Sequence, residues 1–265
     1  MNDSDLTPVC LICEVPAKNV FRAIGKFKYY RCSTCTGIFV HPVKEQSFYL
    51  STETYLTNAE THLQNDVDLR GTRWMIEQFE RLYISKTQLE SKGSFLEIGA
   101  GTGFLTLFAL ARGWNAKAIE TSKSAVEFAS KMLKIDILES TIETYKTTKK
   151  FDAILMVEVL EHFRDPMNAI KLITKLTTGH TILFGTTPNT DSQHWINSKQ
   201  NIYVPEGHIF LFNEKSLKIF ADKSGIKDLT IEYFGSGKLH DSNLIYCGVI
   251  SNYSSVSKKR FFGWF

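Results

Sequence analysis

The chain has 265 residues, 43% of them hydrophobic and 22% charged, with a net charge of +3. That suits one substantial α/β domain plus a small appendage, or two modest domains, and argues against bulk disorder, and so slight a positive balance, with acids and bases intermixed, gives no case for a nucleic-acid partner. The acidic, polar start MNDSDLTPVC is not a secretory leader, and Glu97 interrupts the richest apolar stretch, Phe95 to Ala111, so the expectation is a cytoplasmic protein without a transmembrane segment.

In chain order, the first feature is a pair of cysteine motifs, Cys10-x2-Cys13 and Cys32-x2-Cys35, with 18 residues between them. Each pair can supply two thiolates from one tight knuckle, and two knuckles close a tetrahedron around Zn²⁺. No open position is suggested, so such a site is structural rather than catalytic. Iron, or four unliganded thiols, are the alternatives. Residues 46–64 are polar with interleaved aromatics and read as a connector, from which Tyr49 and Tyr55 can reach a cleft.

Residues 66–90 then predict a helix, with Leu69, Ile76, Phe79, Leu82 and Tyr83 recurring near a period of 3.6. Alternating elements follow: a strand over 95–98, a helix over 103–112 closed by Gly113, a strand over 114–120, and a helix over 122–133 with Ser122 as its cap. A short strand is expected at 135–138, a buried strand at 151–157, a helix at 166–176 with Pro166 in its first turn, and a strand at 180–185. After Asn189 a long irregular stretch runs to Phe212, then a helix over 213–223 and strands over 229–234 and 243–250. Cys247, the fifth cysteine, reads as a buried strand residue. The tail Ser257–Phe265 is basic, then aromatic. This alternation implies a parallel sheet with helices on both faces.

The strongest local signal is Phe95-Leu-Glu-Ile-Gly-Ala-Gly-Thr-Gly103, a buried strand running through glycines into a helix. Gly99 and Gly101 allow a ligand to approach the backbone, and the helix start offers free N–H groups. A dinucleotide fingerprint needs G-x-G-x-x-G, but Phe104 stands where its third glycine belongs. Glu97, two residues before Gly99, suits a cationic amino acid and repels a pyrophosphate. Glu120, ending the next strand, is placed to accept ribose hydroxyls.

With the run LEIGAGTG, the acid closing AIE, the strand FDAILMVEVLEH and the later GHIFLF, the chain resembles class I S-adenosylmethionine-dependent methyltransferases. It is similar to their small-molecule branch, which includes the ubiquinone-pathway O-methyltransferase. The cysteine motifs ahead of such a domain resemble the zinc-bearing methyltransferases of sugar and surface-polysaccharide pathways. The resemblance covers about residues 66–250, and 10–60 more loosely. It implies a Rossmann-like seven-stranded methyltransferase sheet preceded by a small zinc ribbon. The corresponding domains are a zinc module and connector at 1–60, a methyltransferase domain at 61–252 and the tail at 253–265.

The resemblance also implies roles. Glu97, Gly99, Ala100, Gly101 and Gly103 would shape the methionine and ribose pocket, Glu120 would hold the ribose, and Thr121 would neighbour the adenosine. Thr141 and Ile142 would contact the adenine, although Ser140, Thr141 and Glu143 stand where that branch often has an acid beside the adenine amino group. Val157 and Glu158 would lie beneath the reacting methyl. His162 and His208 are the candidate catalytic bases. If the turn after the fourth strand is helical, Glu158, Glu161 and His162 share a face and can bind Mg²⁺, as the similar E-x-x-E-H of the ubiquinone-pathway enzymes suggests. His194, Trp195 and Tyr203 are candidates to pack on an acceptor. No N-P-P-[YF] tetrad follows the fourth strand, which disfavours base and protein amines. The expected acceptor is a small molecule: a sugar, nucleotide-sugar or phenolic intermediate. A non-catalytic binder of S-adenosylmethionine with a docking module, an RNA methyltransferase and an NAD-dependent oxidoreductase are the competing readings. Oligomeric state is not readable.

Overall fold

A computed structural model describes residues 7–43, 66–193, 195, 202–205, 207–235 and 242–251. Three short strands come first: β1 (Val20–Ile24), β2 (Phe27–Arg31) and β3 (Ile38–His41). The long helix α1 (Asp66–Thr87) leads into β4 (Ser94–Ile98), α2 (Phe104–Ala111), β5 (Asn115–Glu120), α3 (Lys123–Phe128), β6 (Leu138–Glu139) and β7 (Phe151–Val157). Then come α4 (Pro166–Thr174), β8 (Thr177–Pro188), β9 (Phe210–Leu211), α5 (Glu214–Lys223), β10 (Lys227–Phe234) and β11 (Asn243–Ile250).

Seven strands form one sheet in the order β10-β11-β8-β7-β4-β5-β6. The five from β8 to β6 are parallel, while β11 runs antiparallel to β8 and β10 antiparallel to β11. The chain starts in the middle of this sheet, at β4, and winds outward, first toward β6 and then back past β7. The ends of β4 and β7 therefore open a crevice where strand order reverses.

The predicted ends at Ser122 and Gly113 hold, and Asn213, expected inside its helix, adds a cap. The Ser122 hydroxyl accepts from the Ala125 amide at 3.4 Å. Asn213 and Ser216 cap α5 reciprocally at 2.9 Å each. Gly113, at φ +91°, takes the left-handed turn after α2. Several elements differ from expectation. The helix after Ser122 is regular only to Phe128 and widens over Ala129–Leu133. The short strand lies at 138–139, because Ile135 and Ile137 instead bury their side chains under the glycine turn.

One face of the sheet is sealed by α1 and α2. Phe79 sits at the centre there, 5.1–5.8 Å from the rings of Trp114, Phe95, Phe184 and Tyr83. The opposite face is covered by α4 and α5, and its core runs without a break into the cysteine-bearing segment: Cys10, Cys32, Cys35 and Phe39 share it with Phe210, Phe220 and Leu183. The small sheet has the order β1-β2-β3-β9, its last strand coming from the stretch read as an irregular loop. Ile38 pairs with Leu211 and Phe39 with Phe210. Cys247 is fully buried in β11, and burial pushes its thiol up to about 12. Among the described residues no helix is long and apolar enough to cross a membrane.

Candidate active site

At the mouth of the sheet lies a cavity of about 870 Å³, the scale of a small-molecule site. Its first wall is the β4–α2 turn. Gly99 and Gly101 have φ of +72° and +53°, conformations that side chains strain to adopt. A Cβ on Gly99 would strike Val159 at 2.5 Å, whereas one on Gly101 meets nothing within 4 Å. Gly99 therefore lets the two strand ends approach, and Gly101 leaves room for a ligand. Ala100 lines the same turn. Gly103, predicted to shape the pocket, instead sits behind it: its φ of +85° starts α2, and a Cβ there would meet Ile135 and Ile137 at 2.7 Å.

Two acids face this wall. The Glu97 carboxyl is buried and takes a short hydrogen bond from the Thr106 hydroxyl. Burial, reinforced by the negative charge of Glu120, pushes it up to about 8, so without a cation beside it the group is neutral at pH 7. Glu120 accepts from the amides of Gly101, Thr121 and Ser122, each at 2.8 Å. These bonds fix its carboxylate at the rim. Thr121, Thr141 and Ile142 line the adjoining end, where the 140–145 turn is held by its own hydroxyls, the Thr141 amide donating to Thr144 Oγ1 at 3.0 Å.

The opposite wall comes from the end of β7. Val157, Glu158 and His162 all line the cavity. Glu158 adopts φ +53°, unusual for a residue with a side chain and an indication of local strain at this strand end. Its carboxylate is held by two partners: Asn243 donates to both oxygens at 3.1 Å, and the Thr186 hydroxyl to one at 2.6 Å. A single tight turn, Leu160–His162, follows. Glu158, Glu161 and His162 thus do not share a helical face. Glu161 Oε2 accepts from Thr187 at 3.0 Å, while Oε1 is buried with no hydrogen-bond partner among the described residues. Burial, then the charge of Glu158, holds Glu161 well above the usual carboxylate range.

The His162 ring reaches the cavity with 38% of its side chain exposed. Its Nδ1 lies 2.9 Å from the Gly207 carbonyl, which can only accept, so Nδ1 carries the proton and Nε2 the lone pair. Burial pulls its pKa below the ordinary histidine value, leaving the ring neutral at pH 7. His208 stands behind His162, with ring centroids 4.9 Å apart, and its Nδ1 donates to the Ile202 carbonyl at 2.7 Å. Burial and the neighbouring His162 lower it to about 4. Ligand-type atoms of Glu161, His162 and His208 lie within 4.8 Å of one another, but two imidazoles beside one carboxylate are not the oxygen set Mg²⁺ takes. The magnesium expectation at Glu158, Glu161 and His162 does not fit.

Several functional positions gave no signal in the sequence. Gly71, Thr72 and Met75 of α1 line the cavity, as do Phe163, Arg164 and Gly207. Thr106, Thr187 and Asn243 each hold one of the buried acids from another helix or strand. Of the proposed acceptor contacts, Trp195 donates to the Ser242 carbonyl at 2.6 Å, and Tyr203 packs edge-on against Tyr29 at 5.1 Å. His194, Tyr49, Tyr55 and the tail lie outside the described residues.

The four cysteines meet as expected. Their sulfurs lie within 4.8 Å of one another, with Cys10 and Cys35 at 3.7 Å, and none forms a disulfide. Four Zn–S bonds of about 2.3 Å in a tetrahedron set sulfurs roughly 3.8 Å apart, so the cluster has the right size. The knuckle amides of Cys13, Thr34 and Cys35 donate to sulfur at 3.4–3.5 Å, contacts that favour thiolates.

A family model described as a methyltransferase domain matches residues 72–231, more than half of the chain. The chain belongs to the methyltransferase domain family. Among curated relatives, the methyltransferase is 36% identical over 77 residues to a ubiquinone biosynthesis O-methyltransferase of Rickettsia akari, covering 27% of this chain and 31% of that protein. With the enzyme of the same name from Pelagibacter ubique it is 34% identical over 106 residues, 38% of this chain and 44% of that one. The matches thus span about a third to under half of these relatives. The plantazolicin methyltransferase BpumL, solved in complex with SAH, has the same fold at a TM-score of 0.61 and 16% identity, over 78% of this chain and 93% of that one. A SAM-dependent methyltransferase from Archaeoglobus fulgidus aligns at a TM-score of 0.53 and 16% identity, over 69% and 96%.

Proposed function

We propose that this methyltransferase moves a methyl group from S-adenosylmethionine to a hydroxyl-bearing small molecule, of the sugar, nucleotide-sugar or phenolic class, in the cytoplasm. One observation carries the reading: a buried acid, Glu97, and a rim carboxylate, Glu120, face one cavity across a glycine turn that leaves open space at Gly101. That arrangement fits an ammonium-bearing amino acid joined to a ribose. The co-substrate, when bound, supplies a methyl group activated by its sulfonium. The chain supplies the rest. Glu97, ionised by a cation, fixes the amino-acid end, and Glu120 accepts the ribose hydroxyls. Val157 and Glu158 floor the opposite wall. His162, neutral and lining the cavity, with Nε2 3.9 Å from Glu161 Oε1, takes the acceptor's proton as the new bond forms. His208 orients His162 from behind. The cysteine cluster would hold a structural Zn²⁺.

The test is transfer of labelled methyl from S-adenosylmethionine to a panel of catechols, monosaccharides and nucleotide-sugars. The reading expects S-adenosylhomocysteine formed in step with one methylated hydroxyl class. If the protein binds S-adenosylhomocysteine and methylates nothing in the panel, the non-catalytic binding role replaces it.

One observation favours a second reading, an RNA acceptor. The small sheet and its knuckles carry exposed Lys18, Arg22, Lys26, Lys28 and Arg31 against a single exposed acid, Glu14. Salt-dependent binding of single-stranded RNA would support it, and binding indistinguishable from a charge-matched control protein would end it.

A further inference from the structure

We infer that the cysteine cluster acts as a positioning device for the acceptor side of the cavity: through the pairing of β3 with β9 it sets where His162 and His208 stand. This rests on the zinc reading above.

The connection is a short series of bonds. Thr36 directly follows Cys35, and its hydroxyl accepts from Asn213 Nδ2 at 2.8 Å. The Gly37 carbonyl accepts from the Cys32 amide at 2.9 Å, so the second knuckle runs straight into β3. Phe39 and Ile38 then pair with Phe210 and Leu211, and the Val40 amide donates to the Ile209 carbonyl at 3.1 Å. The Ile209 amide in turn donates to the Glu161 carbonyl at 2.8 Å. Two residues earlier, the Gly207 carbonyl accepts a hydrogen bond from His162 Nδ1–H and so selects the tautomer that leaves Nε2 basic.

Tyr29 of β2 also packs on Tyr203, but the backbone bonds from the small sheet to this segment come from β3 among the described residues. β9 is two residues long and sits at the edge, so among the described residues β3 is its strand partner in that sheet. A segment as small as residues 7–43 rarely holds a core without a metal or a larger body to lean on. Here the thiols, Phe39 and Phe210 belong to one continuous core. Losing the ion loosens the knuckles, then β3, then the Gly207 carbonyl. The co-substrate wall is bonded differently: Glu97 to Thr106, and Glu120 to Gly101, Thr121 and Ser122, all within β4, α2, β5 and the turns that join them. The cluster therefore governs the histidines and leaves Glu97 and Glu120 alone.

Two perturbations of the full chain test this. One is removal of the metal by a chelator. The other is Gly37→Ala, which leaves every cysteine in place but drives a Cβ against the Phe210 ring, at 2.4 Å. Three quantities are read: amide exchange of Ile209, the ring proton resonances of His162 and His208, and the affinity for S-adenosylhomocysteine. Both perturbations are expected to speed Ile209 exchange by roughly 100-fold and to move both histidine signals, with affinity changed less than threefold. Exchange and histidine signals unchanged by Gly37→Ala would overturn the inference, even if chelation unfolds the whole chain. If the purified protein carries no metal and chelation changes nothing, the zinc reading is what fails, and Gly37→Ala alone decides the coupling.

Discussion

The two walls of the cavity are tied together over very different distances along the chain. On the glycine side the bonds are local: Thr106 to Glu97 spans nine residues and Gly101 to Glu120 nineteen. On the histidine side His162 reaches 45 residues to Gly207, Asn243 reaches 85 to Glu158, and Asn213 reaches 177 to Thr36. One wall is complete once two neighbouring strands pair. The other needs the N-terminal segment, the long loop and the last strand all in place. The difference separates binding of the co-substrate from readiness to react, and substitutions on the two sides should fall into two kinetic classes.

The largest effect belongs to the long-range wall. His162→Ala is expected to lower kcat by about 10²–10⁴-fold while S-adenosylhomocysteine affinity, measured by calorimetry, stays put. Because burial lowers the His162 pKa, wild-type activity should be level at neutral pH and fall only on the acid side of the ordinary histidine range. Next comes the local wall: Glu120→Ala should weaken S-adenosylhomocysteine binding roughly 100-fold and, at saturating co-substrate, leave kcat close to wild type.

A smaller, graded effect follows from Glu97. A bound ammonium holds that carboxyl ionised, whereas in the free protein it titrates at about 8. Binding at pH 7 must then release a proton, and affinity should drop about tenfold for each pH unit below 8. Calorimetry in two buffers of different protonation enthalpy reads this directly, and equal heats in both would contradict it. The same shift has a sign for the free protein. The folded state keeps its proton where the unfolded chain has lost it, so stability declines as pH rises from the usual carboxylate range to about 8 and is level beyond. The smallest effect is at Cys247, which touches neither wall. Cys247→Ala should cost about 1 kcal/mol of stability and no activity, and the native thiol should resist alkylation until the protein unfolds.

The same contrast explains what the sequence disclosed. The glycine turn, both acids and the parallel strands were legible because each is written within a few residues: a buried run, a turn that needs positive φ, a capped helix. The four cysteines were legible for the same reason, two pairs at knuckle spacing. β9 was not. Phe210 and Leu211 are too few to show a period, and their partner lies some 170 positions earlier. Nor was the fate of Glu158, which shares helical spacing with Glu161 and His162 but not a helix, because its backbone turns left-handed at the strand end. β8 extends over 177–188, beyond the predicted 180–185, because Thr177, Thr181, Thr186 and Thr187 are polar yet buried. Three of these hydroxyls find partners in β7 and the turn after it: Thr181 in the Phe151 carbonyl, Thr186 in Glu158 and Thr187 in Glu161.

A paired titration decides the matter. S-adenosylhomocysteine is titrated into wild type, Glu120→Ala and His162→Ala side by side. Saturable micromolar binding to wild type and His162→Ala, with none detectable for Glu120→Ala at the same concentrations, is the outcome predicted by a pocket built on the glycine wall. No binding to wild type, or equal binding to all three, would contradict it.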